Sequence, residues 1–256
     1  MKFLTGLLLA LFLVSACSCT SVIPARVSYM EDTRFIRGLQ DGTAGLVDED
    51  GLFCSGVFIS DNEVLTAAHC LHHAAHMSLG IQDGQLALII VPEVTIPSTQ
   101  IVTRQEFNED VEHPTNHSHL FDVIFRNNDK DLVLLRARGT YESVHATIRL
   151  PNAETQAGLV IGSSVYAIGH PAGVGWNVSH GFVSRDPLTE QGLELIVASA
   201  NIFFGNSGGP LVDSNGNLVG IAHAMPGGQG GAATFIGLFI SPNEIVNFMN
   251  AARAAS

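Results

Sequence analysis

The chain consists of many short apolar segments rather than a few long ones, and this pattern constrains its fold more than any other feature. Runs such as Gly56-Val57-Phe58-Ile59 and Leu86–Val91 are rich in Val, Ile, Leu and Phe, and Gly, Asn or Asp residues separate several of them. Short strands punctuated by turn residues are typical of barrels and sandwiches rather than of helix bundles. The sequence therefore predicts an all-β fold.

The β-like runs form two blocks along the chain. The first lies within about residues 32–150 and the second within about 151–240, and Pro151-Asn152 marks the boundary between them. Proline and asparagine favour turns and interrupt strands. We therefore expect one domain over residues 32–256 with two β-rich halves.

Two local signals refine this expectation. Asp213–Asn217 carries an Asn-Gly pair between two apolar runs, which predicts a β-hairpin. Near the end, Ser241 is a capping residue, Pro242 suits the first helical turn and Glu244 follows three residues after the cap. Apolar residues then recur at helical spacing. The sequence predicts a C-terminal helix over about 242–253.

The N-terminus indicates export. Met1-Lys2 is a short positive start, and residues 3–14 are almost wholly apolar but too few to span a bilayer. Val14-Ser15-Ala16-Cys17 resembles the lipobox of bacterial lipoproteins, in which the cysteine is lipidated. Residues 1–16 are then a signal peptide and 17–31 a tether that anchors the protein to a membrane of the bacterial cell envelope. The alternative is a secreted protein cut near Ala16.

Charge excludes one large class of partners. The net charge is −12, and only 12 residues are Lys or Arg. Nucleic-acid binding requires a basic face, so we expect no nucleic-acid partner.

The cysteines fit an oxidising compartment. Cys54 and Cys70 lie in the folded region, where we expect them to form a disulfide. Cys17 carries the lipid in the lipoprotein interpretation, and Cys19 is left without an assigned role.

The run Gly205-Asn206-Ser207-Gly208-Gly209-Pro210 carries the strongest chemical signal. Hydrolysis of a peptide bond by a hydroxyl needs a base, a carboxylate that orients the base, and backbone N–H groups that bind the oxyanion. Flanking glycines allow the unusual backbone conformations that bring N–H groups close to a substrate carbonyl. We therefore expect Ser207 to be a nucleophile, with the amides of Gly205 and Ser207 as oxyanion donors.

A base and an orienting carboxylate are also available. His69 follows an apolar strand in Thr66-Ala67-Ala68-His69-Cys70. Asp131 opens the run Asp131-Leu132-Val133-Leu134-Leu135, which places a carboxylate at the edge of a buried strand. Asp129 and Asp122 are competitors, and Asp131 is favoured because the apolar run begins directly after it.

The order His69, Asp131, Ser207, in these three contexts, resembles the chymotrypsin/trypsin superfamily of serine peptidases. That resemblance covers about residues 51–240. It implies two six-stranded antiparallel β-barrels with the three residues in the cleft between them. It also implies that the substrates are proteins or peptides.

Two segments are similar to the HtrA/Deg group of this superfamily. They are Gly205–Asp213 and Ala167-Ile168-Gly169-His170-Pro171-Ala172-Gly173, where the group usually has Asn in place of His170. The pair Cys54 and Cys70 is more typical of secreted members, and no PDZ module follows the peptidase domain. The long interval between His69 and Asp131 predicts an inserted loop near residues 106–128.

Asn206 departs from trypsin-like zymogens, in which an Asp precedes the nucleophile and pairs with a newly cut N-terminus. An amide forms no such ion pair. We therefore expect an activity that does not depend on N-terminal cleavage of the trypsin type.

The resemblance also indicates the residues of the specificity pocket. Asn201 stands where an Asp attracts basic side chains, and Ile202 matches an apolar pocket residue of the HtrA group. These residues favour cleavage after small aliphatic side chains. Glutamyl-specific relatives have a pocket His, and His223 lies near that position but shifted by one, so glutamyl specificity is the alternative.

Two functions other than peptide hydrolysis are compatible with this fold. A non-catalytic binding module on this fold usually lacks a triad residue, and none is missing here; an esterase with the same triad is a further alternative. No cofactor and no metal are expected. No carboxylate or thiolate completes a metal-ligand set with the four histidines that recur at helical spacing. These are His69, His72, His73 and His76.

Overall fold

The computed structural model describes residues 29–73, 76–82, 85–91, 94–142, 145–225 and 236–255. Most of the regular structure in these residues is β-strand. The helices are α1 (Tyr29–Asp41), α2 (Arg104–Glu109), α3 (Ala153–Gly158) and α4 (Pro242–Ala255). Short 3₁₀ helices occur at Ala68–Leu71, Pro114–His117 and Pro171–Gly173.

The first half contains a closed antiparallel barrel. Its region comprises the strands β1 (Thr43–Asp48), β2 (Gly51–Ser60), β3 (Glu63–Ala67), β4 (His72–His73), β5 (His76–Gln82), β6 (Gln85–Val91), β7 (Val94–Thr95), β8 (Ser98–Val102), β9 (His119–Asn127) and β10 (Leu132–Ala137). Six of them close the barrel in the order β1-β2-β3-β10-β9-β8. The predicted first barrel is therefore confirmed.

The apolar runs are continuous, rather than alternating, because both faces of these strands are buried. Phe58 on β2 points into the barrel, where it packs in a cluster with Leu46 and Val133. The preceding residue, Val57, belongs to a second cluster outside the barrel. Successive side chains of a strand point to opposite faces, so a strand buried on both faces needs apolar residues at every position.

The extra length between His69 and Asp131 is not where the sequence predicted it. Residues 106–128 contain part of α2, a 3₁₀ helix and β9, which pairs with both β8 and β10 in the barrel wall. Strands β4 to β7 lie outside the barrel and form separate two-stranded pairs. The additional segment is therefore the region 72–95, which includes the hairpin of β5 and β6.

The second half contains one antiparallel sheet. Its strands are β11 (Ser164–Gly169), β12 (Asn177–Phe182), β13 (Leu188–Glu190), β14 (Leu193–Ala198), β15 (Pro210–Asp213), β16 (Leu218–Ala224) and β17 (Gly237–Ile240). The seven strands follow the order β12-β11-β15-β16-β17-β14-β13. An isolated bridge joins Val183, just after β12, to Ala198 on β14. A six-stranded second barrel was predicted; among the described residues the second half is a seven-stranded sheet, and its closure into a barrel stays a prediction.

One apolar cluster joins the two halves. It combines Val57 and Leu65 of the barrel with Ile168 and Leu195 of the second sheet. Helix α4 packs on the same cluster, and its Phe248 ring lies 5.2 Å from the ring of Phe125 on β9. The predicted C-terminal helix is confirmed.

Candidate active site

A disulfide fixes the segment that contains His69. Cys54 on β2 is bonded to Cys70 in the 3₁₀ helix that follows β3, and their Cα atoms are 6.1 Å apart. His69 precedes Cys70, and its side chain is 43% exposed. The disulfide therefore ties the candidate base to the barrel wall while its ring faces solvent.

Asp131 holds His69 through two contacts. Nδ1 of His69 lies 2.8 Å from Oδ2 of Asp131, and the backbone N–H of His69 donates to Oδ1 at 2.8 Å. Because an ionised carboxylate only accepts hydrogen bonds, Nδ1 carries the proton and Nε2 is left as the basic nitrogen. The competing acids are elsewhere: Asp122 accepts from Arg138 at 2.9 Å, and Asp129 is exposed.

The backbone of Asp131 has a left-handed conformation, with φ of 49°. Aspartate tolerates this region better than most residues, and such outliers often occur at functional sites. The turn that it ends begins at Asn128, whose carbonyl accepts the N–H of Asp131 at 3.1 Å. The carbonyl of Asp131 in turn accepts the N–H of Ala68 at 3.0 Å, which brings the turn against the His69 segment.

The carboxyl group of Asp131 is buried yet ionised. Burial on its own raises the pKa of Asp131, but hydrogen bonds from His223 and His69 outweigh burial and hold the pKa well below the usual range of an aspartate. The site therefore keeps a fixed negative charge beside the two imidazoles at neutral pH.

The Ser207 loop is packed against the same elements. The carbonyl of Ser207 accepts the N–H of Ser55 at 2.8 Å and lies 3.6 Å from Sγ of Cys70. Gly208 has φ of +80°, and a Cβ there would lie 1.9 Å from Oγ1 of Thr66. Only glycine allows the loop to approach β3 this closely. These contacts place Ser207 beside the disulfide and the His69 segment.

The side chains of His69 and Ser207 share no hydrogen bond in the structure, although both residues are described. In ligand-free enzymes the hydrogen bond between a nucleophile and its base is often long, and it tightens when substrate binds. The geometry therefore links His69 firmly to Asp131, and the carbonyl of Ser207 holds its loop next to Ser55 and Cys70.

The peptide between Phe204 and Gly205 has a fixed orientation. The carbonyl of Phe204 accepts the N–H of Ala172 at 2.7 Å, and the carbonyl of Gly205 accepts Oγ–H of Ser55 at 2.7 Å. In a planar trans peptide the C=O and N–H groups point in opposite directions. The N–H of Gly205 therefore points away from Ala172.

The three residues predicted to form the specificity pocket lie in different surroundings in the structure. Asn201 is exposed, and Ile202 is 8% exposed in an apolar cluster that Met225 also contacts. His223 instead turns towards Asp131, and its Nδ1 lies 2.6 Å from Oδ2 of that residue. This contact was missed from the sequence, because no local pattern reports a partner that is distant along the chain.

A cavity of about 720 Å³ opens beside His223. Residues from both halves line it: Asp129 and Lys130 from the first, and Glu190, His223 and Met225 from the second. Lys130 is held at its wall, since its Nζ lies 2.9 Å from Oε1 of Glu244.

One group of described residues has the composition of a metal site. The ligand atoms of His69, Asp131 and His223 lie within 4.8 Å of one another. The nitrogen-to-oxygen distances of 2.8 and 2.6 Å are those of hydrogen bonds, whereas two ligands of a tetrahedral zinc ion are about 3.3 Å apart. The group therefore fits two imidazoles hydrogen-bonded to a carboxylate, and we assign no metal to it.

Three further histidines pair with acidic side chains away from this site. His119 pairs with Glu106 at 2.9 Å, and His113 and His117 lie near acidic partners of α2 and the residue after it. The side chains of His72, His73 and His76 are outside the described part of the structure.

A family model for the trypsin-like peptidase domain matches residues 54–221. The chain belongs to the trypsin-like peptidase family. The matched range includes the Cys54–Cys70 disulfide and the three residues His69, Asp131 and Ser207.

The chain is similar in sequence to several proteases of the Do/Deg group. Protease Do-like 1, chloroplastic, of Arabidopsis thaliana is 32% identical over 130 residues, which are 48% of this chain and 28% of that protein. The periplasmic pH-dependent serine endoprotease DegQ of Escherichia coli is 29% identical over 195 residues, 74% of this chain and 34% of DegQ. The periplasmic serine endoprotease DegP of Escherichia coli is 41% identical over 93 residues, 35% of this chain and 19% of DegP. The matches span about a third or less of these relatives.

Solved structures share the fold. The HtrA-type protease AlgW with tripeptide has a TM-score of 0.63 at 22% identity, covering 86% of this chain and 62% of that chain. A serine endoprotease from Yersinia pestis has a TM-score of 0.57 at 21% identity, covering 86% of this chain and 65% of that chain. The predicted resemblance of this trypsin-like peptidase to the HtrA/Deg group is confirmed.

The predicted signal peptide and Cys17 lie outside the described residues, as do Cys19 and residues 20–28 of the tether. Residue 29 begins α1, a helix that the sequence did not predict. In the part of the chain that the structure describes, every helix is too short or too polar to cross a membrane.

Proposed function

We propose that the chain is a serine endopeptidase in which Ser207 is the nucleophile, His69 the general base and Asp131 the orienting carboxylate. The observation that carries this proposal is the pair of contacts from His69 to Asp131, both at 2.8 Å. They make Nδ1 the donor to Asp131, so that Nε2 of the neutral imidazole is the nitrogen that accepts the proton of the Ser207 hydroxyl. The membership of the trypsin-like peptidase family and the protease relatives support the same reaction.

The reaction proceeds by acyl transfer. His69 removes the proton from Oγ of Ser207 as this oxygen attacks the scissile carbonyl, and the charged imidazole is stabilised by Asp131. His69 then gives the proton to the leaving amine, which departs as the C–N bond breaks. His69 then takes a proton from water as its oxygen attacks the acyl-enzyme; the ester C–O bond to Oγ of Ser207 breaks, and His69 returns the proton to Oγ, which frees Ser207 and the carboxyl product.

We assign the oxyanion hole to the N–H groups of Gly205 and Ser207. The anchored carbonyl of Phe204 supports this assignment, because it turns the N–H of Gly205 away from Ala172. Donors that are already oriented stabilise the developing charge without reorganising.

We propose that the residue before the scissile bond is a small aliphatic one. Ile202 supports an apolar pocket, and Asn201 carries no charge that would attract a basic side chain. Glutamyl specificity is less well supported, since Nδ1 of His223 is engaged by Asp131. The cavity beside His223 is the proposed place for the preceding residues of the peptide.

Residues 32–256 are proposed to form one peptidase domain, with halves at 32–150 and 151–240 that correspond to two barrels. The bridge between Val183 and Ala198 supports closure of the second half into a barrel.

Residues 1–16 are proposed to be a signal peptide and Cys17 a lipid anchor in the bacterial envelope. The periplasmic relatives DegQ and DegP support export. Mass spectrometry of the mature N-terminus tests the anchor: a diacylglyceryl group on Cys17 is expected, and a free N-terminus near Ala16 would indicate a secreted protein.

A fluorophosphonate probe and a quenched peptide test the activity together. The wild type is expected to react covalently with the probe and to cleave the peptide, whereas Ser207→Ala loses labelling and about 10³- to 10⁶-fold in turnover. Ser214→Ala is the matched control, because Ser214 is exposed in the β15–β16 hairpin. A wild type that reacts with neither would favour a binding module. One that is labelled but cleaves only esters would favour an esterase.

A further inference from the structure

His223 lies at an irregularity of its strand. In the pairing of β16 with β17, Ala222 is opposite Phe239 and Ala224 is opposite Leu238, which leaves His223 as the extra residue of a bulge. Bulges re-aim a side chain and are common next to active sites. The residue before the bulge, Ala222, accepts the N–H of Gly208 in the Ser207 loop at 2.8 Å. The bulge therefore turns His223 towards the site from a strand that also holds the nucleophile's loop.

The bulged side chain reaches the same oxygen that His69 uses. Nδ1 of His223 lies 2.6 Å from Oδ2 of Asp131, and Nδ1 of His69 lies 2.8 Å from it. The two rings are 6.2 Å apart and steeply inclined, at 72°. Because the carboxylate only accepts, Nδ1 of His223 must carry a proton in this arrangement. His223 is therefore a donor to Asp131.

The contact restricts a buried carboxylate. Asp131 is 8% exposed, and its other oxygen accepts the N–H of His69 at 2.8 Å. Without the His223 donor, Oδ2 would keep a single partner in surroundings where water replaces a lost hydrogen bond poorly. The carboxylate would then leave its alignment with the His69 ring more readily.

We propose that His223 is a positioning residue, whose Nδ1–H holds Oδ2 of Asp131 in line with Nδ1 of His69. This inference rests on the proposed peptidase function. It differs from the role in the specificity pocket that the sequence suggested for His223. A positioning role acts on the chemical step and lowers kcat, whereas a pocket role acts on substrate choice and on KM.

Three variants of the full chain separate these roles. His223→Leu removes the donor and is expected to lower kcat about ten- to hundredfold, since a hydrogen bond to a charged group is lost, while KM changes less than about twofold. His223→Asn places an amide N–H close to the position of Nδ1 and is expected to restore kcat to within about threefold of the wild type. His180→Leu is the control, because His180 is exposed on β12 and contacts Ser164 instead of Asp131.

A turnover-independent measurement keeps the test separate from the activity. Proton NMR of the Ser207→Ala protein is expected to show two low-field Nδ1–H resonances, one from each imidazole on Asp131, and His223→Leu in that background removes one. A protein with both resonances but no peptidase activity would retain the contact and lose the proposed function. A single resonance, a raised KM with unchanged kcat in His223→Leu, or no rescue by His223→Asn would overturn the positioning role.

Discussion

His170 gives the protein a stability that depends on pH. Its side chain is fully buried, Nε2 donates to the carbonyl of Ala44 at 3.0 Å, and the ring packs edge-on against Trp176 with the ring centres 4.2 Å apart. Burial lowers the pKa of His170 to about 4, although the hydrogen bond to Ala44 opposes this shift. The folded protein therefore holds a neutral imidazole where the unfolded chain binds a proton.

The sign and size of the effect follow from these two states. The pKa falls from 6.5 in the unfolded chain to about 4 in the folded protein. The contribution to stability is complete above the unfolded value and is lost as the pH falls from about 6.5 to about 4. Each pH unit inside this window removes about 1.4 kcal/mol, so acidification from pH 7 to pH 5 lowers the free energy of unfolding by about 2 kcal/mol. The full loss is about 3 kcal/mol.

Urea titrations over this pH range measure the effect. The comparison is between His170 and His170→Gln in a Ser207→Ala background, which prevents self-digestion of the unfolded chain. Gln reaches about as far as the imidazole Nε2 and donates to Ala44 without titrating. With a typical urea dependence, the midpoint of the His170 protein is expected to fall by roughly 1 M more than that of His170→Gln between pH 7 and pH 5. Equal shifts in the two proteins would falsify the argument from burial.

Two substitutions test the packing of the Ser207 loop. Asn206→Asp places a carboxylate at a position that is 4% exposed, where Oδ1 has no partner among the described residues. The free energy of unfolding in urea at about pH 7 is expected to fall by about 2–4 kcal/mol and to recover in acid, where the buried carboxyl is protonated; a loss that stays constant with pH would contradict this. Gly208→Ala puts a Cβ 1.9 Å from Oγ1 of Thr66, whereas Gly139→Ala has the same φ of +80° and open space. Calorimetry is expected to show Gly208→Ala about 3 kcal/mol less stable than Gly139→Ala, and equal losses would exclude the clash as the cause.

The features that the sequence predicted well are local. The hairpin at Asp213–Asn217 forms because Oδ1 of Asp213 accepts the N–H groups of Asn215 and Asn217 at 2.8 and 2.9 Å. Helix α4 begins where Ser241 accepts the N–H of Glu244 at 3.3 Å. In both cases the partners are within four residues of each other, so the chemistry is readable from their order.

The features that were not predicted correctly from the sequence depend on partners that are distant along the chain. The long interval between His69 and Asp131 indicated an insertion, which was placed at 106–128, yet β9 is held in the barrel by β8 and β10. Helix α1 was not predicted, and its Leu39 and Phe35 pack in the cluster shared by the two halves. Such elements gain their stability from packing rather than from local preference.

The sequence by itself determined the glycine-flanked Ser207 loop, the placement of His69 after a strand and beside a disulfide cysteine, and Asp131 at the start of a strand. Each is a local pattern of residue types. Only the tertiary structure decided that Asp131 serves two imidazoles and that His170 is buried against Ala44. These contacts join residues 62 to 126 positions apart, and those made by His223 and His170 exist only when the two halves pack together. The reason is physical: a hydrogen-bond partner and the degree of burial belong to the folded surroundings, which no short stretch of sequence contains.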